Sequence, residues 1–361
     1  MNDDYPEISA ERGIPRKWWS YLGKALLLCL AAGAAIAYLN LDAKSWQRLT
    51  AIPASIIVLL GLMVGTAWIC NGVRTFLLAR AFGHRLSVKR AVGITLSMEF
   101  AIAATPGGLG GLPTRILLQR RSGIPVHQSM AMIAADVSAD ILFFFLISPF
   151  ALRAVWKMAP VRNALQELGW TDLGLIMGAL AGTAFLLYFA VPRVFRLGNR
   201  FRRLRRLFVR MRREGRLMRH SIAYMWGHGR IWYAGAFLFC SIQWTCRYGI
   251  LPVILWTLGS SIDPFALIYL QGILFLVALL LVVPGGGGSL EILSTLILQP
   301  VAGSETAALA VILWRIFTYY LYIAGGSIAA VIQLLHPPKM VHAASVDPTL
   351  KMDTSNDHPA A

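Results

Sequence analysis

Residues 91–121 read AVGITLSMEFAIAATPGGLGGLPTRILLQRR, and the fold turns on them. The apolar run from Ala91 to Ala104 holds about 14 residues. As a helix it reaches about 21 Å, short of the roughly 30 Å hydrocarbon core that takes about 20 residues to cross. Thr105-Pro106-Gly107-Gly108-Leu109-Gly110-Gly111 then stops it, because proline and consecutive glycines break a helix. From Leu112 the chain resumes and ends in Arg120-Arg121. The stretch reads as a re-entrant hairpin with its tip near mid-membrane. Irregular backbone at that depth survives only where protein or water covers it.

The same form recurs downstream. A second apolar run starts at Phe265, meets Pro284-Gly285-Gly286-Gly287-Gly288-Ser289 and resumes over Leu290–Leu298. Around these breaks, apolar runs of spanning length lie at 22–41, 52–78, 127–150, 172–191, 231–258 and 305–335. With 57% hydrophobic and only 14% charged residues, the 361-residue chain is too apolar for an ordinary soluble domain. The expected fold class is an all-α integral membrane protein, a polytopic helical bundle with two re-entrant glycine-broken hairpins. Arg16, Lys17 and Lys24 before the 22–41 run resemble a signal peptide, but its length and the span directly after it favour a retained helix. Cys29, Cys70, Cys240 and Cys246 all fall in apolar runs and read as small hydrophobes, without disulfide or zinc spacing.

A formal net charge of +17 raises nucleic acid as a partner. The basic residues, however, sit between spans, as the positive-inside rule requires, so no nucleic-acid role is expected. With a cytoplasmic N-terminus, 26 Lys/Arg fall inside, 5 outside (Lys44, Arg48, Arg153, Lys157, Arg162), and Arg74, Arg247 and Arg315 within spans. Both termini are then cytoplasmic and the two hairpins enter from opposite faces. Twelve arginines lie between Arg193 and Arg219, with Glu214 the sole acid. Leu197, Phe201, Leu204, Phe208 and Met211 mark an apolar stripe beside them. A basic amphipathic helix over about 193–224 is expected on the cytoplasmic leaflet, with anionic lipid as its partner through 193–219. A solvated basic loop that only fixes topology is the other reading.

Arg74 precedes Pro106 by 32 residues and Arg247 precedes Pro284 by 37, while Asp136 follows Pro106 by 30 and Arg315 follows Pro284 by 31. Halves at about 52–150 and 231–335 therefore read as an inverted repeat within one transmembrane domain, 21–336, flanked by a cytoplasmic tail, 1–20, and a disordered tail, 337–361. In transporters such repeats place the substrate site at the midplane, between broken helices.

Ionisable side chains inside a membrane segment are functional hypotheses by default. Here they are Arg74, Glu99, Asp136, Asp140, Arg247, Glu291 and Arg315. Asp136 and Asp140 share a helical face, as do Arg315 and Tyr319, and the two spans hold equivalent places in the repeat. A carboxylate face opposite an arginine is expected, either lining a polar cavity for a lipid headgroup or forming structural ion pairs. Arg115 sits after the first break, near the cytoplasmic interface, where it could grip a phosphate bidentately. The breaks also expose backbone N–H groups at a helix start, a setting that favours anions. No H-E-x-x-H, Cys/His, nucleophile-elbow or P-loop arrangement appears, so no cofactor and no metal are expected and the chain does not read as an enzyme.

Thr105-Pro-Gly-Gly-Leu-Gly-Gly-Leu-Pro-Thr-Arg115, Gln119-Arg-Arg-Ser-Gly-Ile124 and Val283-Pro-Gly-Gly-Gly-Gly-Ser-Leu-Glu291 resemble the flippase-like transmembrane domain of lysylphosphatidylglycerol synthases and their stand-alone relatives. The resemblance covers roughly residues 20–335. It implies lipid translocation, with Pro106, Gly107, Gly108, Gly110, Gly111, Arg115, Pro284, Gly285, Gly286, Gly288 and Glu291 carried over as the substrate-binding positions. About 26 residues follow the last span, so no aminoacyl-transferase domain is expected. Leu112-Pro113-Thr114 stands where an acidic residue often follows the first glycines in the family. The resemblance also implies a bacterial inner membrane and, for some stand-alone members, hopanoid biosynthesis.

The leading expectation is therefore flipping of a phospholipid, aminoacyl-phospholipid or hopanoid-type lipid. The alternatives are an intramembrane transferase, with Asp136 or Glu99 as general base, and an accessory partner of lipid-biosynthesis enzymes.

Overall fold

The structure is a computed structural model. It describes residues 47, 48, 50–105, 107–157, 202–280 and 289–335. The expected spans at 22–41 and 172–191, residues 193–201, Pro106, the second glycine run Pro284–Gly288 and both tails lie outside the described residues. Among the described residues every regular element is helical. In chain order they are α1 Ala54–Ala81, α2 Val88–Ala104, α3 Gly111–Arg121, α4 Val126–Trp156, α5 Arg202–His228, α6 Arg230–Thr257, α7 Pro264–Leu280, α8 Ser289–Ala302, α9 Ser304–Arg315 and α10 Leu321–Leu335, with a π-helical turn, Ile316–Tyr320, joining the last two.

Four of these stretches are long and apolar enough to cross a membrane: Ala54–Ala81, Val126–Trp156, Arg230–Thr257 and Ser304–Gln333. Their outward surfaces are apolar, with Ile57, Leu62, Ile141, Phe145 and Ile328 exposed, as lipid-facing positions should be. Exposed aromatics gather at the ends. Tyr224, Trp226 and Trp232 mark one end, around the α5–α6 corner, and Trp156 and Trp256 mark the other. This is the girdle expected where amphipathic rings sit at headgroup level.

The first hairpin is built as its sequence requires. α2 is 17 residues long, too short to span, and starts on the Ser87 side chain, which accepts from the Arg90 amide. It stops at Thr105. That hydroxyl donates to Ala101 O at 2.7 Å and accepts from the Gly110 amide at 2.8 Å, so one side chain ties both limbs of the break together. Gly107 and Gly108 take left-handed φ values of 59° and 69°, which side chains with a Cβ disfavour. A Cβ on Gly111 would lie 2.4 Å from Ile102. The break is a packed corner.

The packing has a two-fold form. α1 lies along α6 in the largest helix–helix contact. Exchanging α1 with α6, α2 with α7, α3 with α8 and α4 with α9–α10 maps the observed contacts onto one another. Thus α2 on α10 corresponds to α7 on α4, α1 on α2 to α6 on α7, and α3 on α4 to α8 on α9.

Close approach of backbones holds the bundle where apolar burial cannot, since lipid is as apolar as leucine. A Cβ on Gly326 of α10 would stand 2.7 Å from Leu96 O and 2.8 Å from Phe100 Cβ of α2. Gly326→Ala is accordingly expected to cost about 1–3 kcal/mol by forcing the two helices apart, read as a lowered Tm in detergent. A wild-type Tm would mean that α2 and α10 do not meet in this way.

Candidate functional site

The charged side chains of the bundle interior meet one another. Arg74 of α1 is 2% exposed and Arg115 of α3 is 3% exposed. Both reach the Asp136 carboxylate of α4, Arg74 Nε on Oδ1 and Arg115 Nη1 on Oδ2. Arg74 also donates to Asp136 O at 2.7 Å and to Gln243 Oε1 of α6 at 3.1 Å, and lies 2.8 Å from Asp140 Oδ1. Arg115 Nη2 donates to Thr75 Oγ1 at 3.4 Å. Asp140 Oδ1 further accepts from Trp244 Nε1 at 2.6 Å and Cys240 Sγ at 3.3 Å. One cluster thus binds α1, α3, α4 and α6.

Two pairs lie beyond it. Arg247 of α6 and Glu99 of α2 make a fork of two hydrogen bonds, 2.9 and 3.4 Å, with the guanidinium over the Tyr322 ring at 4.7 Å and near Trp244 at 5.7 Å. Arg315 Nε of α9 meets Glu291 Oε1 of α8 at 2.7 Å, and its guanidinium sits over the Tyr319 ring at 4.3 Å. The π-helical turn follows directly, a feature common at functional sites. Glu291 Oε2, Ser294 Oγ and Gln271 Oε1 are buried without a partner among the described residues.

Under the two-fold exchange, Arg115–Asp136 and Glu291–Arg315 are counterparts. Each joins the short helix after a glycine break to the next span, but with reversed polarity: cation on α3 and acid on α4, then acid on α8 and cation on α9. Across the interior, Arg74, Arg115, Arg247 and Arg315 balance Glu99, Asp136, Asp140 and Glu291.

Several expectations change. Arg115, read from sequence as a phosphate grip near the interface, is buried against Asp136. Seven intramembrane charges read from sequence leave four acids against three arginines, and that missing cation was the available signal for Arg115. The carboxylate face of Asp136 and Asp140 does lie opposite an arginine, Arg74, with Arg115 also on Asp136, while Arg315 is paired with Glu291. Asp136 and Glu99, considered as general bases, are each held in an ion pair. At the first break the amides of Gly108, Gly110 and Gly111 are taken by Thr105 O, Thr105 Oγ1 and Gly108 O, leaving fewer donors for an anion than the sequence suggests. Gly107 and Gly108 are partly exposed, whereas Gly110 and Gly111 are buried. Gln243, Thr75, Trp244 and Cys240 carry no charge and only the fold reveals them as members of the cluster.

Outside the spans, His84 in the α1–α2 loop contacts Gln128 Oε1 of α4, and burial holds its pKa below the usual histidine range. A cleft of about 410 Å³ opens where the ends of α4, α6, α8 and α9 meet, lined by Lys157, Ser260, Asp263 and Thr306 among others. None of the residues of the interior ion pairs lines it. Among the described residues no group of three or more His, Cys, Asp or Glu is placed to hold a metal.

A family model described as "Lysylphosphatidylglycerol synthase TM region" matches residues 21–326. A protein of Archaeoglobus fulgidus described as a "UPF0104 membrane protein" is 22% identical over 314 residues, covering 84% of this chain and 94% of that protein.

Proposed function

Because the chain belongs to the family of the lysylphosphatidylglycerol synthase transmembrane region, a membrane family related to lipid handling, we propose that it moves an amphiphilic lipid between the two leaflets. The headgroup would travel along the polar interior while the acyl or polycyclic part stays in the bilayer. One observation carries this reading: the interior holds four arginines and four acids in neutral sets, spread over both halves of a two-fold bundle. Burying ion pairs is a poor way to gain stability, since well-packed apolar residues would serve as well or better. Intramembrane charges kept at that cost are accounted for by a polar substrate. Phospholipid, aminoacyl-phospholipid and hopanoid-type lipids are the candidate cargoes.

The test is reconstitution. Vesicles containing the purified chain are expected to expose fluorescent phospholipid to an external quencher several times faster than protein-free vesicles. Equal rates across all three lipid classes would sink the proposal. A transferase would instead convert a lipid into a new product detectable by mass spectrometry.

A further inference from the structure

Three of the four interior acids each hold a guanidinium in a close ion pair. Asp136 serves Arg115 and Arg74, Glu99 serves Arg247, and Glu291 serves Arg315. Asp140 is different. Its Oδ1 takes Arg74, Trp244 and Cys240, its Oδ2 has no partner among the described residues, and its side chain is 26% exposed. Arg74 keeps Asp136 whether or not Asp140 is charged.

Arg74 faces Asp140 from α1, Asp136 lies one turn away on α4, and Cys240, Trp244 and Tyr248 approach from α6. Arg115 of α3 reaches it through Asp136. α7, also packed on α4, carries only Tyr269 as a titratable group. α5 packs lower on α4, with Met225 and Ile222 beside Ala131 and Met132.

The cluster of Arg74, Arg115, Asp136 and Asp140 is neutral. An anion arriving alone would leave it one charge negative, and a proton arriving alone would leave it one charge positive. Either is costly in a low-dielectric interior. Together they restore neutrality, so each favours the other by linkage. We propose that Asp140 is a proton-exchange site, and that uptake of one aqueous proton on Oδ2 accompanies binding of an anionic phosphate group at the Arg74–Arg115 cluster. The phosphate half of this inference rests on lipid translocation as the function; proton exchange at Asp140 does not.

The full chain is reconstituted in phosphatidylcholine vesicles with or without phosphatidylglycerol and treated with dicyclohexylcarbodiimide, which reacts with protonated carboxyls in apolar surroundings. Modified acids are mapped by mass spectrometry. Modification is expected at Asp140 and not at Asp136, Glu99 or Glu291. It should fall as the medium is made alkaline and rise at least about fivefold with phosphatidylglycerol. No modification at Asp140, or equal modification of all four acids, overturns the proton site. A rise with inorganic phosphate in vesicles lacking phosphatidylglycerol, and none with phosphatidylglycerol, overturns the lipid as the source of the anion. In a second arm, an imposed pH gradient is expected to change the movement of fluorescent phosphatidylglycerol at least about fivefold, and Asp140→Asn to abolish that dependence. Gradient-independent movement in the wild type overturns the coupling. Labelling at Asp140 without any lipid movement overturns translocation and leaves the proton site standing.

Discussion

Asp136→Ala is expected to reduce the folded population more than any other single change in the bundle. Breaking one buried ion pair by removing a partner costs about 3–5 kcal/mol, because the remaining charge stays buried. Here one carboxylate contacts two guanidiniums, each almost wholly enclosed, and without it Arg74 keeps only Asp140 while Arg115 loses its acid. The loss should reach the upper end of that range, a large share of the roughly 5–15 kcal/mol that separates folded from unfolded domains. Glu99→Ala should cost less, since Arg247 keeps the faces of Tyr322 and Trp244 and cation–π contact offsets about 0.5–2 kcal/mol. Size-exclusion yield and Tm in detergent order the two variants. An Asp136→Ala protein as stable as wild type would mean that the cluster is not formed.

The second large effect is expected at Glu291 and Arg315, and it separates a fastener from a working part. Glu291→Leu or Arg315→Met alone strands a buried charge and should cost about 3–5 kcal/mol. The double variant removes both charges and should recover most of that loss, with a coupling energy of about 2–3 kcal/mol. If the pair only fastens α8 to α9, the recovered double variant moves lipid at the wild-type rate. If it serves the substrate, folding returns and transport does not. Additive losses in the double variant would mean that the two residues do not act as a pair.

Much of the architecture is legible in the sequence because bilayer thickness sets a hard length scale. The run ending at Ala104 is too short to cross, and α2 indeed ends there. Likewise α4, α6 and the α9–α10 stretch follow the apolar runs closely. The partners of the interior charges were less legible. Helical periodicity shows that Asp136 and Asp140 share a face, but the choice between Arg74, Arg115 and Arg315 as partner depends on how helices distant in sequence pack. Arg115 misleads because it stands next to basic interfacial residues, and only charge balance hints at its burial. The π-helical turn at Ile316–Tyr320 leaves no pattern in residue type, since its side chains suit an ordinary helix equally well. The glycines of the first break were legible as a stop, but their left-handed angles and the Thr105 tie belong to geometry that composition does not encode.

The reversed polarity of the two counterpart pairs has an electrical meaning. If the two-fold relation is that of the inverted repeat expected from sequence, with its axis in the membrane plane, every copied dipole is turned upside down and identical pairs would cancel along the membrane normal. Pairs of opposite sign add instead. A motion that stretches both pairs together would therefore displace charge in the same sense in each half. An interior with no net charge would then respond to the transmembrane voltage, which acts with about 2.3 kcal/mol per elementary charge for each 100 mV.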